Sequence, residues 1–456
     1  MIINGKKITI DRKSAVISEI DRIYCGLVRK ILTEGKLCPN RTGVDTYAIA
    51  GWTVTIDISE VFPIMETKFV NAKSFANEIQ WIHQVQSNRV QWLRDRDNLT
   101  WDQWVVDEDG IYRIYEPKTS TVFDPEREVP LMYQVKDPKT GKIIKKPVLD
   151  KYNKPVMVKS WDVVKGKTNP RTIKEAILFG KEYAGTIGKA YGGVNAETLA
   201  PQRTEATLKE IHDGIITDDM RRMIISLWQD GFLPEAVLPS CVWSSQYTVI
   251  DDTLHAVVSQ RSADVPVGLP FNIAQYALLL CMFAKANGFK VGTLTWTITN
   301  AHIYVDQIEG IKKQLKRYDY MEEYSNIIQT STDEELETLY DKICDLYDRL
   351  LIRANIMLDG AIDGMKVSEV IEKLKAKDEN LAKDYEEAYE RKMCFEHIIT
   401  RRDPRLELDK TDSIFEYSTD YVKKGDPYLK ENPIGNKQIR LVNYTSAPFI
   451  KLPVAQ

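Results

Sequence analysis

Early in the chain, apolar positions recur at helical spacing. Ile17, Ile20, Ile23, Tyr24, Leu27 and Ile31 share one face, which predicts an amphipathic helix across 15–36. The turn-rich run CPNRTGVDT (38–46) follows, and YAIAGWTVTIDI (47–58) alternates as a strand does. A helix containing NEIQWIH is predicted across 71–84. From 105 to 180 the turn signals DEDG, DPKTGK and KYNKP separate short strand-like runs, a β-rich segment of two or three hairpins. Compact α/β texture returns over 203–300. TEATLKEIHDGI reads as a helix, RRMIISLW as a strand, and QYTVIDDTLHAVVSQRS as two strands about an Asp-Asp turn. FNIAQYALLLCMFAKANG (271–288) is apolar almost all round and ends in Gly, so it is expected to be a buried central helix. Residues 315–395 are amphipathic and charged, a helical hairpin or small bundle, and 396–456 mix strand and loop. No internal repeat is present. Periodicity alone supports an α/β or α+β fold.

Composition narrows the classes. A chain of 456 residues allows about three domains, or one large domain with insertions. Its 43% hydrophobic and 28% charged residues exclude wholesale disorder. A net charge of −4 gives no overall basic excess, so neither a nucleic-acid coat nor a membrane-surface protein is expected. No run approaches the ~18 consecutive apolar residues of a membrane span, and the polar start MIINGKKITIDRKS lacks the apolar core of a signal peptide. The six cysteines form no CxxC pair and the five histidines are scattered. Reduced thiols in a cytoplasm are therefore expected, with no metal site.

Three blocks carry candidate chemistry: LPSCV (238–242), QRSADVPVGLPFN (260–272) and the adjacent Arg221–Arg222 at a strand start. With Arg41 and Arg261, four guanidinium groups could grip a phosphate in bidentate fashion. A thiol beside arginines, Cys241, is available as a thiolate nucleophile. The same residues also suit a buried cysteine and solvated surface arginines, and spacing alone does not separate the two readings.

The run LPSCVWSSQY…VVSQRSADVPVGLPFNIAQYALLLCMFAK…GTLTWTITNAHIY resembles the catalytic core of thymidylate synthases and the related pyrimidine hydroxymethylases. NRTGVDT, LTWDQW, RRMIISLW and the C-terminal IKLPVA match the same family in the same order. The resemblance covers about 20–105, 180–315 and 395–456. It implies a single thymidylate-synthase-like domain over 1–456, two layers with a mixed sheet packed on helices. The β-rich 105–180 and helical 315–395 would be insertions. It further implies a homodimer whose arginines cross the interface, with dUMP and 5,10-methylenetetrahydrofolate as substrates and no metal.

Roles follow by resemblance, residue by residue. Cys241 stands where the nucleophile adds to C6 of the pyrimidine. Arg41, Gln260, Arg261 and Ser262 match nucleotide and phosphate ligands, and Arg221 and Arg222 the pair reaching across the dimer. Asn272 matches the amide that pairs with the uracil edge, where cytidylate enzymes carry Asp; otherwise it is a helix N-cap. Asp264 matches the contact to base and folate, and His302 and Tyr304 the ribose ligands. Glu78 matches the residue that organises water and protons, and Tyr191 the one linked to removal of the C5 proton. Trp101 and Trp104 match folate-site aromatics or are core packing, and Lys68 resembles a folate-tail contact. IKLPVAQ resembles a tail that closes over ligands.

Some positions depart from thymidylate synthases. Val242 replaces the His after the nucleophile and Ser240 the Pro before it. Tyr191-Gly192-Gly193-Val194-Asn195 and Trp296-Thr297-Ile298-Thr299-Asn300 stand where the family has Tyr-Gly-x-Gln-Trp and Trp-Thr-Gly-Gly-Asp. Phage dCMP hydroxymethylases depart at several of the same places. A shell that admits water where a synthase excludes it predicts a deoxyuridylate hydroxymethylase of phage type, making 5-hydroxymethyl-dUMP. The alternatives are a thymidylate synthase and a non-catalytic dUMP-binding scaffold. The insertions would then dock nucleotide-modification partners or stabilise the dimer.

Overall fold

The computed structural model describes residues 2–3, 5–116, 127–162 and 171–454. Parts of the β-rich segment (117–126 and 163–170) and the last two residues of IKLPVAQ lie outside them.

The frame is a six-stranded sheet. Its strands are β1 (Lys36–Cys38), β2 (Thr46–Asp57), β3 (Ile224–Ser226), β4 (Val242–Ile250), β5 (Thr253–Asp264) and β6 (Lys290–Tyr304), in the order β3-β4-β5-β6-β2-β1. Only β5 and β6 run parallel, so the sheet is mixed. β4 and β5 form the hairpin expected around Asp251-Asp252. Asp251 takes φ 54°, a left-handed conformation that two-residue hairpin turns require and Asp tolerates.

The two faces differ as the alternation demands. Ile56, Leu254, Ala256, Val258, Leu294, Trp296 and Ile298 are buried on the inner face. The outer face carries Thr53–Thr297 and Thr55–Thr295 hydroxyl pairs at 3.2 and 2.9 Å, with Val257 exposed. Against the inner layer pack α1 (Glu19–Glu34), α2 (Ala72–His83) and the central α5 (Gly268–Ala286). Two shorter helices, α3 (Gly192–Thr198) and α4 (Ala200–His212), lie between α2 and α5 in the chain.

By length and composition α5 could cross a membrane, but it is mostly buried in the core. Fully buried Leu278, Leu280 and Phe283 each contribute about 1.5–3 kcal/mol there. It begins three residues before the position that apolar periodicity predicts. Pro270 sits within its first turns, and Asp264 takes the Val267 N–H at 3.2 Å ahead of it. Asn272 is consequently one turn inside the helix and is not its N-cap.

The strand expected over RRMIISLW shortens to Ile224–Ser226. Arg221 closes a 3-10 turn (Asp218–Arg221) capped by the Thr217 hydroxyl, and Arg222 follows it. The arginine pair therefore precedes the strand.

The described part of 105–180 forms a second sheet with its own core of Ile111, Val129, Leu131, Ile173 and Ala176. After β6 come α6 (Ile308–Thr330), α7 (Asp333–Met357), α8 (Val367–Lys375) and α9 (Glu379–Thr400). Their near ends join the main core through residues such as Met321, Ile328 and Phe395. Their far ends enclose a separate cluster that includes Leu350, Leu358, Leu374 and Tyr385. A buried ionic network ties α9 to the body. Arg401 meets Glu66 at 2.8 Å and Asp403 at 2.8 Å, and His397 meets Glu66 at 2.9 Å.

Candidate active site

The site lies where β5 and β6 end. Parallel pairing sets Asp264 level with His302 and Ser262 level with Asn300, and the β4 entry places Cys241 beside Arg261. Arg261 Nη2 stands 3.6 Å from Cys241 Sγ and donates to the Pro239 carbonyl at 2.7 Å, while Nε donates to Ser240 O at 3.1 Å. The Arg261 backbone N–H donates to Cys241 O at 2.9 Å. One arginine thus shapes the whole LPSC turn and puts a cation beside the sulfur. All six cysteines are unpaired.

Tyr191 reaches the same turn from the opposite side. Its hydroxyl oxygen accepts the Cys241 N–H at 3.0 Å. Tyr191 has φ 49°, a costly conformation for a bulky residue. Gly192 accounts for the tight approach: a Cβ there would lie 2.1 Å from Ser87 O. Burial pushes the Tyr191 hydroxyl well above its ordinary pKa, so it stays a phenol. Its ring meets Trp101 edge-on at 4.9 Å, and Trp101 packs on Trp104 at 5.4 Å and on Trp81 at 6.0 Å. Trp101 is thus packed in the core beside Tyr191.

Glu78, on α2, is buried, and desolvation pushes its carboxyl up to about 7. The N–H groups of Gln275 and Trp101 oppose that rise. Neither forms a well-shaped hydrogen bond to it, and both nitrogens are buried without a partner. Burial likewise raises Asp264 to about 6, against hydrogen bonds from Gln307 and the Val267 N–H and the charge of Lys68. Lys68 does not extend into solvent. It is buried, brought down to about 8, and donates to the Pro266 carbonyl beside Asp264.

A hydrogen-bonded relay runs from β6 through β5 to α5. The Trp296 indole N–H donates to Gln260 Oε1 at 3.1 Å, Gln260 Nε2 donates to Asn272 Oδ1 at 3.1 Å, and Asn272 Nδ2 donates to Gln275 Oε1 at 3.0 Å. This network fixes the direction of the Asn272 amide and leaves it one N–H and one lone pair. His302 Nδ1 lies 2.8 Å from Asn300 Oδ1, its ring is edge-on to Tyr304 at 5.2 Å, and burial lowers its pKa.

The remaining residues lie further out. Ser262 is half-buried, and Arg41 is exposed on the loop after β1, with its charge felt at Tyr304. Arg221 and Arg222 are exposed, and Arg222 pairs with Asp219 at 3.6 Å. Among the described residues no group of three or more His, Cys, Asp or Glu side chains could hold a metal.

Sequence reasoning missed Gln275 and Gln307. Gln275 is a polar residue in an apolar run and Gln307 one of several polar residues in a mixed stretch, weak signals that gain meaning only from where the side chains point. Asn195, one of the family departures, donates to Ile82 O at 3.0 Å and lies 3.3 Å from His83 Nδ1. Asn195 Oδ1 and His83 Nε2 are left buried and unpartnered, as is the Ser240 hydroxyl.

The thymidylate synthase family model matches residues 22–343. The thymidylate synthase of Clostridium beijerinckii is 29% identical over 301 residues, 66% of this chain and 83% of that protein. That of Listeria monocytogenes serotype 4a is 31% identical over 296 residues, 64% of this chain and 86% of that protein. The chain belongs to the thymidylate synthase family and is a one-carbon transferase. Both relatives bear the name of the synthase, not of a hydroxymethylase.

Proposed function

We propose that this chain transfers a one-carbon unit from 5,10-methylenetetrahydrofolate to C5 of dUMP and completes the reaction with water, giving 5-hydroxymethyl-dUMP. The observation that carries the transfer is the convergence of Cys241, Arg261 and Tyr191 on one turn, with the Glu78 carboxyl close enough for its charge to be felt at Tyr191. Thiolate Sγ bonds to C6, and C5 becomes the nucleophile toward the methylene that the folate supplies. Tyr191, held as a phenol, and Glu78, poised near neutrality, move the C5 proton. Departure of tetrahydrofolate leaves an exocyclic methylene. Water adds to it, and Sγ leaves C6.

The relay supports uracil as the base. With its oxygen taken up by Gln260 and its nitrogen by Gln275, Asn272 still offers one acceptor to N3–H and one donor to O4. Cytosine presents the opposite pattern and would leave buried polar groups unpaired. Arg41 and Arg261 serve the phosphate, joined by Arg221 and Arg222 of a second copy in a homodimer formed through the threonine-lined outer sheet face. Ser262 and Gln260 complete the nucleotide contacts, and His302 and Tyr304 take the ribose. For the folate, Trp101 with its unpaired N–H, Trp104 and the carboxyl of Asp264 make a stacking wall with a donor and an acceptor, which suits a pterin.

The water branch rests on the Ser240 hydroxyl, a buried polar group left unpartnered on the reacting turn itself. Such groups hold water in folded proteins. The names of the relatives favour the second reading, hydride transfer to give dTMP. Incubation with dUMP and methylenetetrahydrofolate separates the two. A product heavier than dTMP by one oxygen, with tetrahydrofolate, supports the hydroxymethylase; dTMP with dihydrofolate refutes it. A chain that binds dUMP but forms neither product, with Cys241→Ser behaving as wild type, would be a binding scaffold.

A further inference from the structure

The hydrogen bonds of Asp264 lead out of the pocket toward the C-terminal segment. Gln307 ends the short turn Val305–Gln307 after β6 and is fully buried. Its Oε1 accepts the Tyr304 N–H at 3.0 Å. Its Nε2 lies 3.2 and 3.1 Å from the two Asp264 oxygens and 2.9 Å from the Pro453 carbonyl. A carboxamide nitrogen carries two hydrogens. One is shared by the carboxylate and the other goes to Pro453.

The segment leading to Pro453 is fastened along its backbone. The Ala447 N–H donates to Glu66 O at 2.7 Å, and Arg317 Nη1 donates to Pro448 O at 2.6 Å. A Cβ on Gly310 would lie 2.5 Å from Leu452, so α6 and the segment are in close contact.

We propose that Gln307 is a positioning residue that couples seating of the C-terminal segment to the orientation of Asp264. This rests on the reading of Asp264 as a group that meets the ligands. With Pro453 seated, both hydrogens of the amide are used and its plane is fixed, so Asp264 receives a donor aimed at its carboxylate. When the segment lifts, one buried N–H loses its acceptor. The amide then gains by turning, and its hold on Asp264 loosens. Closure and the alignment of the carboxylate become one event.

The test uses tritium release from [5-³H]dUMP with methylenetetrahydrofolate, a step common to the water and hydride endings. The groups facing Asp264 are Lys68, Tyr24 of α1, and Tyr304 and Asp306 beside the turn. None of them changes in Gln307→Met. Expected for Q307M are unaltered dUMP binding, kcat/KM for the folate lower by on the order of tenfold, and an acid limb moved to higher pH. Trypsin should also cut faster after the exposed Lys451. A variant that binds dUMP yet keeps either its acid limb or its Lys451 protection overturns the coupling. Should Q307M not fold, Gln307→Asn retains the amide at a shorter reach and is judged by the same two readouts. A wild-type chain that releases no tritium removes the one-carbon reading itself, whereas the protease readout still judges the tie between Gln307 and Pro453.

Discussion

The hydroxyl oxygen of Tyr191 accepts the backbone N–H of Cys241 at 3.0 Å, so the phenol proposed to handle the C5 proton and the proposed nucleophile share one hydrogen bond. Tyr191→Phe removes this bond and the phenolic proton but keeps the ring against Trp101. Turnover should fall by about 10²-fold or more, in the range of a lost proton-transfer group. The affinity for dUMP, measured by direct titration, should change little. An equal loss of affinity and turnover would make Tyr191 a structural prop only.

Glu78 gives a pH signature in stability. Its folded pKa of about 7 lies above the ordinary value of 4.5 that it has when unfolded, so the folded state binds the extra proton. Its contribution is intact below the unfolded value and is lost as pH rises through about 7. Glu78→Gln escapes that loss. The variant should be inactive, yet gain roughly 2–3 kcal/mol relative to wild type between pH 4 and pH 8. Urea melts at the two pH values measure it, and a pH-independent difference would refute the buried-carboxyl account.

On the proposed reading of Asn272, the relay makes base selection depend on a residue that does not touch the base. Trp296→Phe deletes the donor to Gln260 and frees the amides behind it. The preference for dUMP over dCMP should fall by about tenfold, the value of one buried hydrogen bond to a neutral group. Competition binding reads the ratio directly. An unchanged ratio in a folded variant would free Asn272 from the relay.

Arg401 is buried with Glu66 and Asp403, and Glu66 in turn faces Asp21, whose pKa burial and Glu66 both raise. Arg401→Leu leaves two carboxylates without their cation. It should cost about 3–5 kcal/mol in denaturant melts. Glu66→Gln with Arg401→Met should recover part of the loss, because only Asp403 then lacks its cation, and that side chain is partly exposed to water.

To test the proposed homodimer, equal amounts of Cys241→Ser and Arg222→Ala chains, each expected to be inactive, can be refolded together. Random pairing makes about half the dimers mixed, and one of the two sites in each then carries both residues. Activity should return to about one quarter of wild type. No recovery would place Arg222 in its own subunit's site or outside any site.

Much of the frame was legible because alternation and helical spacing report a single buried face. The β4–β5 hairpin and α5 are examples, read within a few residues. The start of α5 was misplaced because Gly268, Leu269 and Pro270 read as a loop, whereas Pro suits a first helical turn. RRMIISLW overstated a strand because its arginines belong to a capped turn.

For the site, the cysteine and arginines alone left two readings open, and the ordered motifs of a family supplied the rest. Lys68 was legible as a residue but not as a buried one. Gln275, Gln307 and the Asn195–His83 contact were invisible, since pattern records which face is apolar and not which polar atom finds a partner.

The division of the helical region into two cores sets where the chain can be cut. Residues 320–390 look like one removable block in the sequence, but that span contains Glu390, which Arg317 meets at 2.7 Å while also holding Pro448 and Thr67. Excising it would strand a buried cation under the segment that ends on Gln307. The outer cluster around Leu350, Leu374 and Tyr385 packs on itself, and the ion pairs beside it, Lys313–Glu386 and Lys316–Glu387, are partly exposed rather than buried. The modular joint therefore runs across the middle of α7 and α9, and what lies beyond it is free to be exchanged, lengthened or lost without the pocket registering the change.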